Sequence, residues 1–398
     1  REYFHHCLSR KKKKFEKLES LHRGFVYYLD HRLNLRTGQK IAYPIERFFL
    51  QLQKRPLSRV AKLPEIIHLS YASGEFFVNS KDARKTLHKY SFPLAIALTY
   101  QQRSPVSITK LSPNKCIHKV TSVSYERYKQ AYERCQKYLM QGQSYQLNLT
   151  FPSEIQLNAG TSVLDFIQNI VSNKNKLGEF FHLTAIPALD FLFIANSPEC
   201  LFEVKQGTRP GRRQIITRPI KGTIKLDRTQ DYLRQWKKLS GGKKELSELL
   251  MITDLLRNDL NRIERPQAKV TKLLAPLRVP NLLHMYSQIA VEVSARKSLA
   301  DLLQAIFPGG SVIGAPKKRS MEILRKIERR PRQFYCGSTV FFDGRDLRAS
   351  INIRSMQVSL AKKRAYASAG GGIVVLSHPR GEYLEMRGKL ESFLAIFK

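Results

Sequence analysis

A lysine becomes a nucleophile when its amine is held away from bulk water, and Lys221 stands where that can happen. In the run TRPIKGT it follows a Pro-Ile pair and precedes a glycine, a stiff turn that limits its contact with solvent. Near the C-terminus Glu382, Glu385 and Lys389 are spaced i, i+3 and i+7, so a helix there projects all three from one face. A solvated face with an i,i+4 Glu-Lys pair has the same pattern. Glu248 lies among Leu246, Leu249 and Leu250, where a carboxylate is costly without a cation, unless the position is exposed. Two such carboxylates with water and a substrate carboxylate would make an oxygen shell for Mg²⁺, although spacing alone does not bring them together. The loops PGGSVIGAPK and AGGGIV place glycines where backbone N–H groups can approach an anion, and tight turns use glycine too. Arg354 alternates with Ile351 and Ile353 in SINIRSM, which predicts a strand with the arginine facing away from the isoleucines. It could there clamp a carboxylate bidentately or lie at the surface. The combination suits an anionic substrate with at least two carboxylates, a divalent metal, a lysine and a positioned acid.

The elements that must carry these residues are legible in part. Ser124 opens a helix with Tyr128, Ala131, Tyr132, Cys135 and Leu139 on its buried face and Gly142 as its stop. SYQLNLTFPSEIQL then reads as a half-buried strand through Tyr145, Leu147 and Leu149. A helix over 161–172, strands FFHLTAI and FLFIANS, and a long helix over 243–263 follow. In that helix Leu246, Leu249, Leu250, Thr253, Leu256 and Leu260 share one side. Helices over 299–307 and 318–328 flank the first glycine loop, and strands return before a terminal helix from Gly381. Residues 1–115 read as a short strand-rich region and 116–398 as the catalytic domain. Many antiparallel-looking strands among helices argue for an α+β architecture.

The composition excludes several classes. Of 398 residues, 42% are hydrophobic, enough for a sizeable core, and no apolar run reaches the roughly 18 residues of a membrane helix. Five scattered cysteines without a C-x-x-C pair suit a reducing compartment, so a soluble, cytoplasmic protein is expected. The net charge of +37 suggests a polyanionic partner, but Lys and Arg are spread along the chain with one dense run, Lys11 to Lys14. Without a nucleic-acid motif, the basicity reads as a solvated surface or as steering of an anionic substrate; no specific nucleic acid and no membrane are expected as partners.

From about Ser124 onward the chain resembles the chorismate-utilising enzymes. The runs that carry the likeness are SPE at 197–199, TRPIKGT at 217–223, SELLMITDLLRNDLNRI at 247–263, HMYS at 284–287, FPGGSVIGAPKKRSMEIL, SINIRSM, SAGGGIV and the final E-x-x-E-x-x-x-K. The resemblance implies two antiparallel sheets packed face to face, helices outside, and an active site in a cleft between them. It implies Glu248 and Glu385 as Mg²⁺ ligands, with Glu382 a further ligand or a residue behind them. Tyr335, Arg354, Lys389 and the backbone of Gly370, Gly371 and Gly372 become carboxylate clamps. Glu199 becomes the acid that protonates the departing ring hydroxyl, and His284, which alone would pass for a structural histidine, lies near the ring.

Within the family, alanine after Pro-Ile goes with amination at ring carbon 2, and lysine with amination at carbon 4. Lys221 therefore implies conversion of chorismate and ammonia to 4-amino-4-deoxychorismate, for 4-aminobenzoate and folate synthesis. No glutaminase nucleophile motif is present, so ammonia is expected from a separate glutamine amidotransferase subunit. The alternatives are an anthranilate or isochorismate synthase of the same family, or a basic nucleic-acid-binding protein on a degenerate scaffold. One departure from the family pattern is Val312-Ile313 in the glycine loop, where a hydroxyl is usual at the second position.

Overall fold

The computed structural model describes residues 4–8, 15–79, 81–106, 113–226, 232–264, 268–279, 282–344 and 346–398; the basic run Lys11–Lys14 lies outside the described residues. Its strands make two antiparallel layers. In the first, Ile117–Thr121, Gln146–Leu157, Arg364–Ile373, Ser355–Ser359, Phe191–Ser197, Phe180–Ile186 and Phe4–Leu8 pair in that order. In the second the order is Phe15–Tyr27, Ala95–Pro105, Ala61–Leu69, Ser338–Gly344, Asp346–Ile351, Cys200–Gln206, Arg212–Arg218 and Leu282–Ser294. Ile220–Lys225 and Lys269–Val279 both pair with Leu282–Ser294 at the far edge. Phe4–Leu8 also pairs with Phe15–Tyr27 and so joins the layers. The strands before residue 115 thus pair with strands after residue 180, and ladders cross the boundary expected there.

Between the layers lies an apolar cluster that includes Ile66, Ile96, Tyr100, Phe193 and Phe334. Outside the first layer pack Tyr125–Met140, Val163–Ser172, Lys317–Glu328 and Pro379–Leu394; outside the second pack Ile45–Gln53, Lys243–Asn261 and Leu299–Ile306. This is the α+β, face-packed architecture that the sequence implied. The helix from Ser124 runs over Tyr125–Met140 with the serine accepting from the Arg127 amide, and all five apolar positions assigned to its inner face are buried. Among the described residues no helix is long and apolar enough to cross a membrane. Cys116, Cys135, Cys200 and Cys336 are buried.

Three local expectations change. Tyr145 is 71% exposed and precedes its strand, while Gln146, Asn148 and Thr150, expected on a solvent face, are buried. Asn148 donates to the Val312 carbonyl at 3.1 Å and the Thr150 amide donates to Glu328 at 3.0 Å, so the glycine loop and the helix behind it cover the polar side. Leu250 is 45% exposed; the buried side of the long helix uses Leu249, Ile252, Thr253, Leu256 and Leu260. SINIRSM is two strands, Asp346–Ile351 in the second layer and Ser355–Ser359 in the first, with Arg354 at φ +49° in the corner between them. The corner is fixed by the Asn352 amide donating to the Gly337 carbonyl and the Cys336 amide donating to the Asn352 carbonyl, both at 2.9 Å.

A polar network crosses the interior. His68 bonds Thr339 at 2.8 Å and Thr184 at 3.0 Å, and Thr339 also meets His182 at 3.0 Å and donates to Asn352 at 3.1 Å. Burial holds both histidines neutral, His182 with a pKa of about 4. In the unfolded chain a histidine takes up a proton near pH 6.5, so stability is complete above that pH and falls as pH drops toward 4. For His182 the loss approaches about 3 kcal/mol. Denaturant titrations between pH 7 and 4 should show this slope for the wild type and a shallower one for His182→Gln; equal slopes would exclude the histidine as its source.

Candidate active site

Two places where the chain passes from one layer to the other build the site. Phe191–Ser197 belongs to the first layer and Cys200–Gln206 to the second, so Pro198 and Glu199 form a crossing. The corner at Asn352–Arg354 is the other, running antiparallel beside it. The Asn196 amide donates to the Arg354 carbonyl at 2.9 Å, and the Ile351 amide donates to the Glu199 carbonyl at 3.1 Å. The Ser197 hydroxyl donates to the Ile351 carbonyl at 2.5 Å and receives the Glu199 amide at 3.1 Å. An acid and an arginine are thereby fixed at the mouth of the gap between layers by backbone contacts.

That gap is a cleft of about 510 Å³, a size suited to a small molecule. Glu199, Lys221, Glu248, His284, Tyr335, Arg354, Gly370, Gly371, Gly372, Glu385 and Lys389 all line it. Glu382 does not: it is 3% exposed, accepts from the Ser377 hydroxyl at 2.9 Å, and lies beneath the glycine run. A Cβ at Gly371 would come within 3.3 Å of its carboxylate, and one at Gly370 would strike the Leu149 carbonyl.

Lys221 projects from the edge strand Ile220–Lys225, and its ammonium lies 3.2 Å from Glu248 on the helix Lys243–Asn261. The apolar neighbours of Glu248 thus come with a cation partner. Across the cleft Lys389 pairs with Glu385 at 2.7 Å, one turn apart on the last helix, and also donates to the Gly370 carbonyl at 3.2 Å. Two carboxylates from separate helices face one cavity, and each already stabilises a positive charge.

Glu199 has its carboxyl pushed above the ordinary range by burial, with Lys221, the Ser311 hydroxyl at 3.3 Å, Lys389 and Arg354 acting in the opposite direction. Burial, then Arg354, lowers the pKa of His284, opposed by its bond to the Gly222 backbone. A neutral imidazole results, able to donate or accept a hydrogen bond. Burial also lowers the pKa of Arg354, with Glu199 opposing. The enclosure that favours a protonated acid therefore holds three cations that an anionic substrate would compensate.

Ser311, Glu245 and Asn148 also line the cleft and escaped the sequence reading. Glu245 stands three residues before Glu248, a helical spacing that could have revealed it. Ser311 comes two residues before Ile313, which is fully buried in the core outside the first layer. The hydroxyl that the family pattern places at position 313 is absent, and Ser311 presents one to the acid instead.

The family described as chorismate binding enzyme matches residues 41–395. The chain is 36% identical over 360 residues to aminodeoxychorismate synthase component 1 of Klebsiella aerogenes, covering 88% of this chain and 75% of that protein. It is 34% identical over 271 residues to the protein of the same name from Salmonella typhimurium, covering 67% and 56%. Among solved structures, anthranilate synthase component I from Streptococcus pneumoniae superposes with a TM-score of 0.73 at 20% identity, over 95% of this chain and 91% of that one.

Proposed function

Since the chain belongs to the chorismate-binding enzyme family, we propose that it acts as an aminodeoxychorismate synthase component 1, converting chorismate and ammonia to 4-amino-4-deoxychorismate. The observation that carries this reading is Lys221 in the wall of the cleft, within reach of the same small volume as Glu199. Arg354, Lys389, Tyr335 and the amides of the glycine run would receive the two substrate carboxylates. Glu199 would protonate the hydroxyl leaving carbon 4 while Lys221, after its ammonium has given up a proton to solvent, adds to carbon 2 as the neutral amine. Ammonia then adds to carbon 4 and the lysine departs from carbon 2 with its bonding pair. His284 would orient the ring. The component 1 relatives support a separate glutamine amidotransferase as the ammonia source, and scattered cysteines without a C-x-x-C pair support a reducing compartment such as the cytoplasm.

Glu248 and Glu385 fit a Mg²⁺ site. They are hard oxygen donors from two helices facing one cleft, each already stabilising an ammonium group. Among the described residues no group of three or more His, Cys, Asp or Glu could hold a metal, so substrate oxygen and water would complete the shell. Bound there, the ion would neutralise a substrate carboxylate and polarise the ring. Glu248→Gln and Glu385→Gln should each raise the Mg²⁺ concentration for half-maximal rate by about tenfold or more; a titration matching the wild type would remove that residue from the metal site.

The deciding assay supplies chorismate, Mg²⁺ and ammonium, then an aminodeoxychorismate lyase. Appearance of 4-aminobenzoate only after the lyase is expected, and anthranilate formed without lyase would overturn the assignment.

A further inference from the structure

A second cavity, about 620 Å³, lies on the other side of the glycine loop from the catalytic cleft. Phe77, Leu255 and Phe307 give it apolar walls. Its ionisable lining is unbalanced: Arg262, Lys297, Lys317 and Lys318 face Asp259 and Asp301. Both carboxylates are engaged, Asp259 by the Lys317 ammonium at 2.6 Å and Asp301 by the Ser298 amide and hydroxyl at 2.7 and 2.9 Å. An apolar interior with surplus positive charge suits a small organic anion more than a cation or a neutral polar molecule.

The two cavities share a wall. A Cβ at Gly310 would strike Leu255 and lie 3.7 Å from the Lys317 side chain, both of which line the second cavity. The next residue, Ser311, lines the catalytic cleft and donates to Glu199 at 3.3 Å. We propose that the second cavity binds a small organic anion, an apolar or aromatic body with one carboxylate, and that its occupancy is transmitted to Glu199 through the Gly310–Ser311 turn. A ligand against Leu255 presses on a backbone that has no room to absorb the movement. The displacement therefore reaches the Ser311 hydroxyl.

Benzoate is a suitable probe, titrated by calorimetry without chorismate so that binding is read independently of any reaction. Binding should persist in Arg354→Ala, where the catalytic anion clamp is lost, and weaken about tenfold or more in the double variant Lys297→Glu, Lys318→Glu. Saturating benzoate should also shift the alkaline limb of the pH profile for chorismate turnover in the wild type and not in the double variant. Binding lost in Arg354→Ala, or unchanged in the double variant, would put benzoate in the catalytic cleft and overturn the site. Binding that follows the expected pattern with an unmoved pH limb would overturn the transmission to Glu199.

Discussion

Replacing Lys221 with alanine is expected to slow carbon-4 amination of chorismate by on the order of 10³-fold, about 4 kcal/mol of barrier. Chorismate affinity should change little, because Arg354, Lys389 and the glycine run remain in the cleft. Lys221→Arg separates chemistry from charge. Arginine keeps a cation beside Glu248 but stays protonated, so it cannot add to a ring carbon. Both variants should be inactive to a similar degree, and recovery of turnover by arginine would reduce Lys221 to an electrostatic role. Without ammonia, the wild type should also form an adduct whose added mass is that of chorismate less one water, since the amine replaces the hydroxyl. Its absence from the mass spectrum, with turnover intact, would argue against covalent catalysis.

Glu199→Gln should lower turnover by about 10² to 10⁴-fold, the usual contribution of a positioned general acid. Glutamine preserves size and can still receive the Ser311 hydroxyl, but has no acidic proton. The acid works while protonated, and burial raises its pKa, so the rate should fall as pH rises through a value above the usual carboxylate range. Lys221, Ser311, Lys389 and Arg354 keep that value from rising further. A pH profile of kcat/KM should show this alkaline limb in the wild type and lose it in Glu199→Gln. The same limb in the variant would assign the proton to another group.

Local physics made much of the scaffold readable. The serine cap, the apolar stripe and the glycine stop of Tyr125–Met140 are all within the helix or next to it, and the helix forms where they indicate. Lys221 and Glu385 were visible for the same reason, as residues in short patterned runs. Arg354 was misread because Ile-Asn-Ile-Arg alternates like a strand. What turns the chain there is hydrogen bonding to Gly337 and Cys336, which no pattern near Arg354 encodes. The meeting of Glu248 with Lys221, and of both with Glu385 across one cleft, depends on layer packing between distant segments. Ser311 sits among glycines that carry the stronger local signal, and its place beside the acid is set by how the loop packs against the Glu199 crossing.

The interior network has a consequence for the order in which the molecule can be completed. His68 and Thr339 are 271 positions apart, and the strand bearing His68 pairs along its length with the one bearing Thr339. Once the strand Ala61–Leu69 has been made, one edge of it lacks its native partner until the strand Ser338–Gly344 follows. Closing a loop of that size costs entropy before contacts repay it, so folding is slow and late. The helix with Glu385 and Lys389 follows every strand of both layers along the chain, so the catalytic cleft acquires its second wall only after all of them have been made.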